Sequence, residues 1–74
     1  MVKYKIPVII EKDKDGYFAY CLTLQGCYMQ GDTFEEVLKN IIDAIRLHIQ
    51  DRREANEEIP ETEIVNLTMV EVSV

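Results

Sequence analysis

Basic residues, histidine and cysteine are all scarce in this chain, and each shortage removes a class of function. Eight Lys and Arg stand against fourteen Asp and Glu, a formal net charge of −6, with an isoelectric point near 4.6. Nucleic-acid binding draws much of its affinity from cations that release counterions from phosphates. The chain is therefore ill-suited to direct nucleic-acid binding and suits a basic protein partner. The single histidine, His48, and the two cysteines, Cys21 and Cys27, fall short of the four ligands of a structural zinc site. A Cys–His nucleophile would need an orienting neighbour that no local signature supplies, so neither a metal nor a cofactor is expected. Long apolar runs are missing too. Nothing approaches the roughly 20 residues that span a bilayer, and the start Met1-Val2-Lys3-Tyr4-Lys5 lacks the apolar core of a signal peptide. The expected location is the cytoplasm, where Cys21 and Cys27 would remain free thiols.

What is present is enough for one small domain, residues 1–74. The hydrophobic fraction of 47% is that of a globular protein. A chain this short buries only about 60% of its unfolded surface, so self-association would add needed stability.

From Val2 to Glu11 the apolar residues Val2, Tyr4, Ile6, Val8 and Ile10 alternate onto one face of a strand, with Lys3, Lys5, Pro7, Ile9 and Glu11 on the other. Pro7 has no amide to donate, so either that position points away from a neighbour or pairing breaks there. Lys12-Asp13-Lys14-Asp15-Gly16 is a turn, because Asp and Gly both tolerate positive φ, and Tyr17–Leu22 returns antiparallel. A calcium loop does not fit: with Gly16 at the sixth position the twelfth is Leu22, where a bidentate Glu is needed. A second turn, Thr23-Leu24-Gln25-Gly26, leads to a short strand Cys27–Gln30. Gly31 then releases the chain into a helix.

The helix start is the sharpest local signal. Thr33 can accept from the amide three residues on while Glu36 reaches back to the capping residue, with Asp32 and Glu35 offering the same geometry one residue earlier. The helix is expected from Thr33 to about Ala55. Phe34, Val37, Leu38, Ile41, Ile42, Ile45, His48 and Ile49 recur at helical spacing and form its apolar face. Glu35 and Glu36 at the start and Arg52 and Arg53 at the end suit its dipole. Pro60 closes the connection, and Glu63–Val74 reads as a last strand.

Those elements give an α+β fold, a two-layer βββαβ sandwich. A meander followed by a right-handed crossover puts the last strand beside the first, in the order 3-2-1-4, with the helix across strands two and one. In the last strand Val65, Leu67 and Met69 mark the core face, while Val70, Val72 and Val74 point the other way. Since one helix covers one face, Ile9, Val70, Val72 and Val74 are expected to form the interface of a homodimer.

An enzyme is not expected. Metal-dependent nuclease chemistry needs converging carboxylates, whereas Glu11 and Glu71 fall near strand ends, Asp13 and Asp15 in a turn and Asp43 on the polar side of the helix. A stand-alone dimeric interaction or regulatory module remains the alternative to the reading below.

The order Tyr4, Asp15-Gly16-Tyr17, Gly26-Cys27, Gln30-Gly31-Asp32-Thr33 with Glu35-Glu36, then Asn40, Asp43-Ala44-Ile45 and Ile59-Pro60, resembles the HicB antitoxin family over nearly the whole chain. Leu22-Thr23, Gln25 and Val37 depart from it where the family usually has Pro-Asp, Pro and Ala. The resemblance implies a partially degraded RNase H-like fold and a partner, a basic HicA-type toxin that cleaves mRNA. It also implies the toxin-binding half alone, with operator binding left to another protein. The candidate toxin contacts are Tyr28, Gln30 and Asp32 at the end of strand three and Glu35 at the helix start.

Overall fold

Alternating apolar residues, two tight turns and one strong helix cap build three antiparallel strands and a helix, β1 (Val8–Asp13), β2 (Gly16–Cys21), β3 (Tyr28–Gly31) and α1 (Phe34–Glu54). The computed structural model describes residues 2–61 and 68–74. The sheet runs in the order β1-β2-β3, and α1 packs on β3 and β2. The expected placement of the helix across β1 is therefore corrected by one strand.

The first hairpin turns at Lys14-Asp15, where the Asp13 carboxylate accepts from the Asp15 amide at 2.7 Å. Gly16 alone takes the positive φ, 133°. Strand β1 starts at Val8 rather than Val2, and the register explains it. Val8 pairs with Cys21 and the Leu22 amide still donates to the Pro7 carbonyl at 3.2 Å. Beyond that the opposing chain turns away through Thr23–Gly26, leaving Val2–Ile6 no ladder. Pro7 thus contributes its carbonyl, and its missing amide costs nothing.

In the second turn Gly26 sits at φ 80°, the left-handed region that glycine enters freely. The Cys27 amide donates to the Leu24 carbonyl and the Cys21 amide to the Cys27 carbonyl, at 3.3 and 3.0 Å. This folds Leu24 inward as a plug. The core is Ala19, Leu24, Cys27, Val37 and Ile41, ringed by Ile6, Val8, Ile10, Tyr17, Cys21, Met29, Ala44 and Ile45. Burial of each large side chain in it contributes about 1.5–3 kcal/mol.

Helix α1 begins as the sequence suggests, with one change of partner. Thr33 Oγ1 accepts from the Glu36 amide at 3.1 Å, while the Glu36 carboxylate accepts from the amide of Asp32, at 3.3 Å, rather than that of Thr33. The helix ends on Ala55, followed by Asn56 at φ 57°. The Asn56 amide donates to the Arg53 carbonyl and the Glu57 amide to the Arg52 carbonyl, at 3.2 and 2.8 Å. This Schellman pattern leaves asparagine in the place glycine usually takes. Arg52 then donates to the Glu58 carbonyl at 3.2 Å, holding the exit of the chain.

Only part of the expected apolar face of α1 is covered. Val37 and Ile41 are buried, whereas Phe34, Leu38 and Ile42 are 46, 37 and 45% exposed. Three strands are too narrow a sheet for so wide a stripe. The expected last strand is not formed over residues 68–74, which are exposed and irregular; its earlier part lies outside the described residues.

Strand and helix meet most closely at Gly31. A Cβ there would stand 2.8 Å from the Val37 amide nitrogen and 3.0 Å from its Cα. Gly31→Ala should cost about 1–3 kcal/mol through overpacking, and Thr33→Ala about 1 kcal/mol through the lost cap. Thermal melts followed by circular dichroism check both, and an alanine at 31 that melts with the wild type would contradict the close contact.

Cys21 and Cys27 face each other across β2 and the approach to β3. Burial, and then the hydrogen bond with Cys27, pushes the Cys21 thiol up to about 12. A raised folded value stabilises the fold below the ordinary thiol range, and that contribution is lost as pH rises through about 12. The thiolate is the reactive species. At pH 8 a disulfide thiol reagent should therefore label the folded chain at least about tenfold more slowly than the urea-unfolded chain, and equal rates would overturn the assignment.

Candidate functional site

The face of the sheet turned away from α1 is set by β-strand alternation. Ala19, Cys21 and Met29 point toward the helix, so their neighbours point out. The register places Ile9 beside Tyr20 and Tyr20 beside Tyr28, with Glu11 beside Phe18 and Phe18 beside Gln30. Two cross-strand rows result. The Phe18 and Tyr28 rings stack diagonally, 6.4 Å between centroids and 25° between planes, a contact within the usual aromatic range. Tyr20 donates its hydroxyl to Glu11 Oε1 at 3.0 Å. That bond to an anionic acceptor raises the Tyr20 phenol above its ordinary value, with a smaller contribution from desolvation. The surface thus offers an aromatic centre with a fixed carboxylate at its edge.

All four expected contact residues are exposed. Tyr28 and Gln30 project from β3 on this outer face, Gly31 turns inward beneath the helix, and Asp32 and Glu35 occupy the corner where β3 passes into α1. Tyr28, at 55%, is among the most exposed aromatics. The backbone beneath the corner is held from both sides. Thr33 and Glu36 fix the helix start, and the Asn40 side-chain amide donates to the Gln30 carbonyl at 3.1 Å.

The residues expected at a dimer interface are not brought together within one chain. Ile9 is half-buried on the outer face, as its place in the alternation requires. Val70 and Val72 are 75 and 73% exposed, and Val74 fully so. They lack the strand that was to align them, because a strand needs a ladder partner and the described part of the chain gives them none.

Among the described residues no three Asp, Glu, His or Cys side chains lie close enough to hold an ion. Asp43, midway along the helix, is engaged by Lys39 at 3.4 Å and Arg46 at 3.3 Å. His48 lies half-buried on α1. Among the described residues no helix is long and apolar enough to cross a membrane.

Phe18, Tyr20 and Glu11 were not among the expected site residues. Their signal was available: once the turn is centred on Lys14-Asp15, the register puts Phe18 and Tyr20 against Glu11 and Ile9. A second unanticipated feature is a groove of about 530 Å³ between Val2–Tyr4 and the helix flank at Ile42, Ile45, Ile49 and Arg53.

Comparison with known proteins gives this geometry its context. A UPF0150 protein of Synechocystis sp. is 41% identical over 63 residues, covering 84% of this chain and 80% of its own length. One from Thermoplasma acidophilum is 42% identical over 66 residues, covering 88% and 96%. Another, from Helicobacter pylori, is 50% identical over 46 residues, covering 62% and 64%. Residues 6–72 match the profile of the HicB-like antitoxins of bacterial toxin–antitoxin systems, a span that takes in the sheet, the aromatic face, the capped corner and the whole of α1. The chain belongs to the HicB-like antitoxin family.

Proposed function

We propose that this chain neutralises a HicA-type toxin, a small basic mRNA-cleaving ribonuclease, by covering the toxin's RNA-binding surface and catalytic histidine. The observation that carries this reading is the β3–α1 corner, where Tyr28, Gln30, Asp32 and Glu35 are exposed together beside the Phe18–Tyr28 stack. An acidic surface of this kind steers a basic partner into encounter and competes with RNA for it. Affinity would come mainly from the aromatic anchors, since desolvated Tyr and Phe contribute most at interfaces while rim charges govern approach. The antitoxin acts without chemistry of its own, in the cytoplasm with its target, and as a homodimer. A partially degraded RNase H-like βββαβ fold, with the last strand in the order 3-2-1-4, is the complete form of the domain in this reading.

Replacing Tyr28 and Asp32 together by Ala should weaken capture of the cognate toxin by at least about tenfold, as loss of an aromatic anchor with a charged neighbour commonly does. Asp43→Ala, on another part of the helix surface, should leave capture unchanged. Titration calorimetry with the toxin reads both, and undiminished binding by the Tyr28/Asp32 variant would remove this corner from the interface.

A further inference from the structure

The chain carries an unpaired strand edge, an uncovered helix flank and an apolar segment that packs on nothing of its own, and the three match. Among the described residues strand β1 pairs with β2 alone, and the backbone groups along its other side face a place for a further strand. The helix flank can be placed relative to that edge. Asn40 is tied to Gln30 of β3, which sets one side of α1 over β3. Leu38 and Ile42 stand two residues from Asn40 in either direction, roughly 160° round the helix, and so overhang the β1 side.

The segment Thr68–Val74 has the composition to fill that space. Met69 marks one side of an extended chain and Val70, Val72 and Val74 the other, so either face brings apolar groups to the flank. Seven residues in extended form span roughly 23 Å, enough to run beside the six residues of β1. The family match continues to residue 72, which makes Thr68–Val72 part of the shared domain rather than an appendage. Yet Met69, Val70 and Val72 are 90, 75 and 73% exposed.

We propose that Thr68–Val74 of one chain pairs with the open edge of β1 in a second copy, beneath the Leu38–Ile42 flank of that copy's helix, so that two chains complete each other's sheets by exchange. Charge agrees with this occupant. In a chain of net charge −6, the groove beside the flank is lined by Lys3, Arg46 and Arg53, and Glu71 is the acid within the segment. A two-fold axis fills both sites at once and leaves neither segment exposed. The inference holds whether or not a toxin is the partner.

Sedimentation equilibrium of the full chain at micromolar concentration should give twice the 8.6 kDa of one chain. Carbon-13-labelled and unlabelled chains, mixed in urea and refolded together, should show intermolecular NOEs between the methyls of Leu38 or Ile42 and those of Val70 or Val72. A monomer, or a dimer in which these contacts arise only within one chain, overturns the proposal. Replacing Val70 and Val72 by Lys should raise the dimer dissociation constant at least about tenfold while the helical signal is kept; undiminished dimerisation of that variant also overturns it. Should the variant lose its helical signal, the NOE experiment on the wild-type chain decides.

Discussion

The contact between Gly31 and Val37 is the constraint from which the rest of the molecule takes its position. Where β3 ends, the backbone of the first turns of α1 comes so near that only a hydrogen fits in place of a side chain. That approach seats Val37 and Ile41 over Ala19 and the turn residue Leu24, and these four with Cys27 make up the buried core among the described residues. A core this small has no redundancy. Moving the helix outward by the width of one methyl group would loosen each member together, because none has a second layer behind it.

The same seating divides the surface by chemical character. The helix hides one side of the sheet and leaves the other to Ile9, Phe18, Tyr20 and Tyr28, with Glu11 held in place by the Tyr20 hydroxyl. The capped corner then adds Asp32 and Glu35 at the positive end of the helix dipole, where carboxylates are favoured. These exposed groups therefore stand on a strand, a capped corner and a helix, so that in the proposed complex little ordering entropy is left to be lost.

Much of this was legible in the residues. The Thr33–Glu36 cap, the helix from Phe34 to Glu54, the Asp13–Gly16 turn and the inward set Ile6, Val8, Ile10 all follow from local rules, because each depends on neighbours within a turn or a strand. The failures share a different cause. Val2–Ile6 has strand alternation but no opposing chain, and Thr68–Val74 has alternation but no ladder among the described residues. Phe34, Leu38 and Ile42 have helical spacing but nothing to cover them among the described residues. Periodicity shows which side a residue would bury and is silent on whether anything lies there. The corner residues Tyr28, Gln30, Asp32 and Glu35 stand exposed where a strand end and a helix cap set them by local rules. The aromatic row beside them needed the register, which is a long-range property.

The hydrogen bond from Asn40 to the Gln30 carbonyl bears on how such chains can assemble. It occupies an acceptor on β3, a strand only four residues long, and in doing so blunts one side of the sheet. Polymerisation by edge pairing requires a unit that can add at both ends, as a bifunctional monomer does. With the Gln30 carbonyl engaged by Asn40, an incoming strand finds one acceptor fewer along β3. The asparagine thereby lowers the valence of the β3 edge, the side on which open-ended growth of the sheet would otherwise add a unit.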